Sequence, residues 1–167
     1  MTDANILEPR TVEGTQARPD VTRLLSYRIS VLSRCLAREG AGIYSKNLGL
    51  TLPEWRVISA LGRAGEMSVT DVSNSIFMDR GQTSRTVDAL LKSGMLRMRP
   101  DVNNGRRVLF SLSPDGEALH AAGLPVARGR QARLLEGIPP QDVEVFERVL
   151  DIMMKRYAGD TDKGDGE

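Results

Sequence analysis

Residues 67–115 read MSVTDVSNSIFMDRGQTSRTVDALLKSGMLRMRPDVNNGRRVLFSLSPD, and this stretch decides the fold. Two short helical patterns span residues 68–76 and 79–93, because apolar side chains recur there at helical spacing. After Gly94 come a strand pattern over 95–99, a polar turn over 101–106 and a second strand pattern over 107–112. The predicted order is therefore helix, turn, helix and β-hairpin.

Both helices have capping residues at their ends. Ser68 and Asp71 have the spacing of a capping box, in which the hydroxyl and the carboxylate each accept a backbone N–H. Asp79 is placed to cap the second helix, and Gly94 to adopt the left-handed conformation after its last turn. These caps favour two separate short helices over one long helix.

The hairpin has the alternation of apolar and polar side chains that a half-buried ribbon needs. Pro100 is predicted to end its first strand, and Asn103-Asn104-Gly105 tolerates the positive φ values of a tight turn. The fold class predicted is mainly α with a small β-hairpin wing, which is a winged helix-turn-helix.

Basic residues outnumber acidic ones between residues 80 and 107, although the whole chain has a formal charge of only +1. The basic residues are Arg80, Arg85, Lys92, Arg97, Arg99, Arg106 and Arg107. The acidic ones are Asp88 and Asp101. In a winged helix-turn-helix this surplus indicates binding to double-stranded DNA, with the second helix in the major groove. The alternative is a solvated basic face on an ordinary α+β domain.

The predicted DNA contacts belong to three groups. The first turns of the second helix offer donors to bases or phosphates, and the N-terminus of the first helix can hold a phosphate. The wing can reach a minor groove or a phosphate through Arg106. The predicted DNA-binding residues are Ser68, Thr70, Arg80, Gln82, Thr83, Ser84, Arg85, Asn104, Arg106 and Arg107.

Long helical patterns lie on both sides of this module. One covers 21 to about 48, and T-L-P-E at 51–54 caps the next helix. Two more cover 116–136, with Pro125 as a kink or break, and 141–158. We predict a flexible arm over 1–19, a dimerisation helix over 20–50, the winged helix-turn-helix over 51–115, C-terminal dimerisation helices over 116–158 and a disordered tail over 159–167.

Composition excludes several classes of protein. No apolar run has the length of a membrane span and no hydrophobic signal core opens the chain, so we expect a cytoplasmic protein without membrane contact. One cysteine, Cys35, and one histidine, His120, leave no set of metal ligands. The sequence has no nucleophile elbow, no phosphate loop and no metal-spaced cluster. We therefore expect neither enzyme activity nor a cofactor.

The combined motifs resemble the MarR family of transcriptional regulators over about residues 21–157. They are GLTLPEWRVI (49–58), SVTDV (68–72), DRGQTSRTVDALLKSGML (79–96) and RPDVNNGRRVLFSLSPDG (99–116). The family's wing motif P-D-x-x-D-x-R is present except that Asn104 replaces the second aspartate, which would weaken a pair with Arg106. The resemblance implies a homodimer that binds a pseudo-palindromic operator, usually as a repressor.

The same resemblance implies release from DNA by a small aromatic or phenolic acid, bound between the dimerisation helices and the reader domain. Tyr44 and Trp55 could line such a cleft, although core packing is the favoured role of Trp55. Arg28 and Arg56 could pair with the carboxylate, or could be surface charges. His120 could face solvent or contact the ligand.

Two functional alternatives come from other classes: a winged-helix module for protein assembly, and a non-specific architectural DNA binder. The basic surplus argues against the first, and the long terminal helices argue against the second. Cys35 could sense oxidants, but its place in the apolar stripe favours a small buried side chain.

Overall fold

The computed structural model describes residues 20–158, apart from the side chains of Arg106 and Ala158. The predicted arm over 1–19 and tail over 159–167 lie outside these residues. The elements, in chain order, are a 3₁₀ turn Val21–Arg23, α1 Leu25–Leu48, α2 Leu52–Ala64, β1 Glu66–Met67, α3 Val69–Ile76, α4 Arg80–Lys92, β2 Leu96–Asp101, β3 Asn104–Leu112, α5 Pro114–Leu134 and α6 Pro140–Ala158. The predicted mainly α fold with a small β wing is confirmed.

The three strands form an antiparallel sheet in the order β1, β3, β2. Leu96 pairs with Leu112 and Asp101 with Asn104, so the hairpin turns in two residues rather than in the six predicted. Pro100 does not end β2, which continues to Asp101. Within the described sheet β2 pairs with β3 alone, and a proline is tolerated on such an edge strand. Sequence patterns missed β1, because two residues show no periodicity.

The core lies among α2, α3, α4 and the sheet. Each element presents one apolar face to the others, as the helical and strand periodicities predict. The side chains that are almost completely buried include Val57, Ile58, Leu61, Val72, Val87, Leu90 and Leu112. The core therefore fixes the relative positions of α3, α4 and the wing.

The described residues form two compact units, 20–38 and 39–158. In the first unit, the helix predicted from Val21 begins only at Leu25, because Leu24 is extended and ends a short 3₁₀ turn capped by Asp20. Cys35 is exposed, so its predicted burial is wrong. The apolar side chains around it, among them Val31 and Leu32, are exposed too.

In the second unit, α5 begins at Pro114 after the cap Ser113 and remains one helix through Pro125. The predicted break at Pro125 is therefore absent. Helix α6 has a clear apolar stripe, but Phe146, Val149 and Ile152 on it are about half exposed. No helix within residues 20–158 has the length and apolar composition needed to cross a membrane.

Candidate nucleic-acid interface

Helices α3 and α4 form a helix-turn-helix whose turn has an unusual residue. Phe77 lies between them with φ 49° and ψ 50°, the left-handed conformation that glycine usually occupies. Phe77 is 54% exposed. Asp79 then caps α4 by accepting the backbone N–H of Gln82 at 2.9 Å, as predicted. The cap fixes the direction in which α4 leaves the turn.

Helix α4 separates a polar end from a buried face. Arg80, Gln82 and Arg85 are exposed, and Ser84 is half-buried. Thr83 has no exposed surface, and its hydroxyl donates to the carbonyl of Asp79 at 2.9 Å. The prediction that Thr83 contacts DNA is therefore wrong, because this side chain is part of the core. The other four remain on accessible positions of the first turns.

The N-terminus of α3 has the predicted capping box. Ser68 Oγ accepts the backbone N–H of Asp71 at 3.3 Å, and Asp71 Oδ2 accepts the backbone N–H of Ser68 at 3.1 Å. The Ser68 side chain is only 7% exposed and also donates to Asp71 Oδ2. The predicted contact between the Ser68 hydroxyl and a phosphate is therefore disfavoured, because the hydroxyl is buried and already forms the hydrogen bonds of the cap. Thr70, which is half-buried, follows on the first turn.

Arg107 points from the wing to this helix end. Its guanidinium forms an ion pair with Asp71 and donates to Ser68 Oγ at 3.2 Å. Burial of the Asp71 carboxylate raises its pKa, but hydrogen bonds from Ser68 and Arg107 more than offset this and hold the pKa below its ordinary value. The guanidinium of Arg107 is thus engaged within the chain, and its contact with DNA stays a prediction.

Two other wing arginines also bind within the protein. Arg97 donates to the carbonyl of Leu112 at 3.1 and 3.3 Å. Arg99 pairs with Glu66, and this hydrogen bond lowers the pKa of Glu66 and raises that of Arg99. Much of the basic surplus counted along the sequence therefore holds the wing to its neighbours instead of facing a ligand.

A groove of ≈ 490 Å³ lies between the N-terminus of α3, the start of α4 and the wing. The polar side chains that line it are Ser68, Thr70, Asp71, Arg80, Asn104 and Arg107. Asn104 is exposed at the start of β3, and the backbone of Arg106 follows in the same strand. The structure thus brings the three predicted groups of DNA contacts to one surface. Whether the accessible residues of these groups touch DNA stays a prediction.

The predicted effector residues are only partly brought together. The rings of Tyr44 and Trp55 stack with centroids 5.0 Å apart, and His120 lies 6.2 Å from Trp55. Trp55 is 6% exposed and belongs to the core, which agrees with its favoured role. Arg56 is exposed on α2. Arg28, in the first unit, borders a shallow surface pocket with Tyr27, Val31 and Cys35.

Two glycines make this stack possible, and the sequence analysis missed both. A Cβ on Gly62 would lie 2.5 Å from the His120 ring, and one on Gly123 would overlap the Trp55 ring. Helices α2 and α5 therefore approach closely at these positions. Nothing local marks these glycines, since each lies inside a regular helix. Within the described part of the chain, no cluster of His, Cys, Asp and Glu could hold a metal ion.

Residues 48–107 match the model of the MarR family. The multiple antibiotic resistance protein MarR of Salmonella typhimurium is 30% identical over 76 residues, which are 46% of this chain and 53% of that protein. Over this segment the chain is similar to the MarR family. It spans about half the length of the curated MarR proteins that it matches. The family match includes all ten predicted DNA contacts.

Solved structures of MarR-type regulators have the same fold. A MarR/EmrR family regulator from Acinetobacter sp. ADP1 aligns with a TM-score of 0.73 and 25% identity, over 87% of this chain and 99% of that one. BpsR of Bordetella bronchiseptica, whose DNA binding is regulated by 6-hydroxynicotinic acid, aligns with a TM-score of 0.65 and 24% identity, over 76% of this chain and 98% of its own. The likeness to BpsR shows the fold alone.

Proposed function

We propose that this chain is a MarR-family transcriptional regulator that reads operator DNA with α4. The observation that carries the proposal is the division of α4 into an exposed polar end and a buried apolar face. Arg80, Gln82 and Arg85 offer donors for base edges and phosphates, whereas Val87 and Leu90 anchor the helix in the core. Ser84, Thr70, Asn104 and Arg106 are secondary contacts in this proposal.

The proposed functional form is a homodimer on a pseudo-palindromic operator, acting as a repressor. One reader helix covers one half-site, and a two-fold partner supplies the second about one DNA turn away. Phe146, Val149 and Ile152 support this form, because such an exposed apolar stripe needs to be covered in solution. The segments 20–50 and 116–158 are the proposed dimerisation helices.

For the effector we propose a small aromatic acid that binds beside the stacked Tyr44, Trp55 and His120. BpsR, which has the same fold, responds to an acid of this class. Tyr44 and Trp55 are buried, so a ligand that stacks on them would have to move one of the two rings. Because Trp55 lies against Gly123, that motion would shift α5 relative to the reader. Arg56, on the same helix as Trp55, is the candidate partner of the carboxylate.

The test is fluorescence anisotropy of the purified protein on the DNA upstream of its own coding sequence and on a scrambled duplex, at two salt concentrations. We expect tighter binding to the upstream DNA, weakened by salt because phosphate contacts release counterions. Replacing Gln82 and Arg85 together by Ala should abolish the preference between duplexes. Arg63→Ala, an exposed arginine at the end of α2, is the matched control and should retain it.

Each other result favours a different function. Equal, weak binding to both duplexes would favour the architectural DNA binder, and no binding at low salt would favour the protein-assembly module. The same assay tests the effector: 6-hydroxynicotinic acid and other aromatic acids are titrated into the complex. A preference that survives every acid tested would remove the effector proposal and leave the DNA proposal intact.

A further inference from the structure

The carboxylate of Asp71 gathers three donors on one oxygen. Asp71 Oδ2 accepts the backbone N–H of Ser68 at 3.1 Å, the Ser68 hydroxyl at 2.9 Å and the guanidinium of Arg107. The first two bonds lie within α3 and its cap, whereas the third comes from β3. A single carboxylate oxygen therefore joins the helix end to the wing.

This junction lies inside the proposed DNA-facing groove. Asp71 and Arg107 line it together with Arg80 and Asn104. A phosphate that approaches the N-terminus of α3 would meet the charge of Asp71, and like charges repel across so short a distance. Arg107 removes this obstacle, because its cation neutralises the carboxylate in place. Arg107 also precedes Val108 in the strand whose first residues form the wing tip.

We propose that Arg107 is a positioning residue that clamps the wing to α3 and neutralises Asp71, so that a DNA phosphate can approach the helix end. The proposal rests on the DNA-binding function proposed above. The competing role for Arg107 is a direct contact with a phosphate. The two roles differ in what happens when Asp71 also loses its charge.

The experiment compares Arg107→Gln, Asp71→Asn and the double variant on operator DNA over a range of salt concentrations. Asn at position 71 keeps an oxygen that can accept the Ser68 N–H. Arg107→Gln should weaken binding by about tenfold, because it leaves the Asp71 carboxylate uncompensated where a phosphate approaches. Adding Asp71→Asn should restore affinity to within about threefold of the unmodified protein, because the uncompensated carboxylate is gone.

The salt dependence gives the second readout. If Arg107 only neutralises Asp71, the double variant removes one charge of each sign and keeps the original slope of log affinity against log salt. If Arg107 binds a phosphate, the slope of the double variant falls by about 0.9 and affinity is not restored. The latter result would overturn the proposal. If Arg107 acted only by holding the wing to α3, Asp71→Asn would not restore the DNA affinity of the Arg107→Gln variant.

Arg99 and Glu66 provide the matched control, since they form a second ion pair between wing and neighbour that does not line the groove. Arg99→Gln should leave affinity for operator DNA within about twofold, as expected for an exposed pair away from the DNA. The decrease in Tm of the Arg99→Gln variant measures how much stability is lost when an ion pair of the wing is broken. A tenfold loss here would show that any loosening of the wing weakens binding, and would overturn the specific role of Arg107.

The clamp has a readout independent of DNA. Thermal unfolding of the two single variants and the double variant forms a cycle, and the decreases in Tm should be non-additive because the two residues are in contact. If the unmodified protein bound no DNA while the cycle showed coupling, the proposed function would fail and the clamp would stand. Strictly additive decreases in Tm would overturn the clamp, whatever the DNA result.

Discussion

Helices α2 and α6 have similar apolar stripes but different surroundings. In α2, Ile58 and Leu61 are buried in the core, and Trp55 is buried against Tyr44 and α5. In α6, Phe146 is 52% and Ile152 is 56% exposed. The periodicity of a helix shows that one face will be covered, but it does not show whether the covering residues belong to the same chain. In the proposed homodimer, α2 would therefore contribute to the stability of each protomer and α6 to the association of the two protomers.

The largest expected effect comes from shortening an isoleucine on each helix. Ile58→Ala should lower the free energy of unfolding by about 2–5 kcal/mol, because it leaves a cavity in a packed core. Ile152→Ala should instead raise the dissociation constant of the proposed dimer by about tenfold, since in that dimer the exposed side chain becomes covered. Urea unfolding measures the first change, and sedimentation velocity over a dilution series measures the second. An unchanged dissociation constant for Ile152→Ala would contradict the assignment of this face to the dimer.

A smaller effect is expected at the contact of α2 with α5. Gly123→Ala places a methyl group into the Trp55 ring, so we expect a loss of about 1–3 kcal/mol from overpacking. Gly129→Ala is the internal control in the same helix, because a Cβ there has no neighbour within 4 Å. It should raise stability by about 0.5–1 kcal/mol through helix propensity. If the two substitutions had equal effects in thermal unfolding, close packing of Trp55 on α5 would be wrong.

The smallest effect in this comparison belongs to the cap of α2. Thr51→Ala removes the hydroxyl that accepts the N–H of Glu54 at 3.3 Å and donates to its carboxylate at 2.7 Å. We expect a loss of about 1 kcal/mol in urea unfolding, the usual value for an N-cap. Thr51→Ser retains the oxygen and should stay within about 0.5 kcal/mol of the unmodified protein. A loss of equal size for both variants would show that the threonine methyl, not the cap, stabilises α2.

Local chemistry made much of the reader predictable. The capping pairs Thr51–Glu54 and Ser68–Asp71 are three residues apart, and Asp79 caps the helix that begins beside it. Such signals depend on neighbours in the chain, so the sequence is sufficient to find them. The apolar spacing likewise predicted which residues of α4 form the core, with Thr83 and Thr86 as the exceptions. A threonine can be buried inside a helix because its hydroxyl bonds the carbonyl four residues earlier.

What the sequence did not reveal depends on contacts between distant segments. The ion pair of Arg107 with Asp71 could not be predicted, because the two residues are far apart in the sequence and lie in different elements. The roles of Gly62 and Gly123 arise only when α2 and α5 meet. Cys35 has apolar neighbours in the sequence, yet the described protomer leaves it exposed. Periodicity predicts which face of its helix a side chain lies on. It does not predict which other segment, if any, packs against that face.

The pairing of β1 with β3 has a consequence for the order of folding. The β2–β3 hairpin closes over a two-residue turn, so its ends meet quickly and at a small entropic cost. Glu66 and Met67 must instead find Ser111 and Phe110 across the whole helix-turn-helix. A contact so far apart in sequence forms late, because the intervening chain has to be ordered first. The pairing of β1 with β3, which completes the three-stranded sheet, is therefore expected to form only after α3 and α4 have folded.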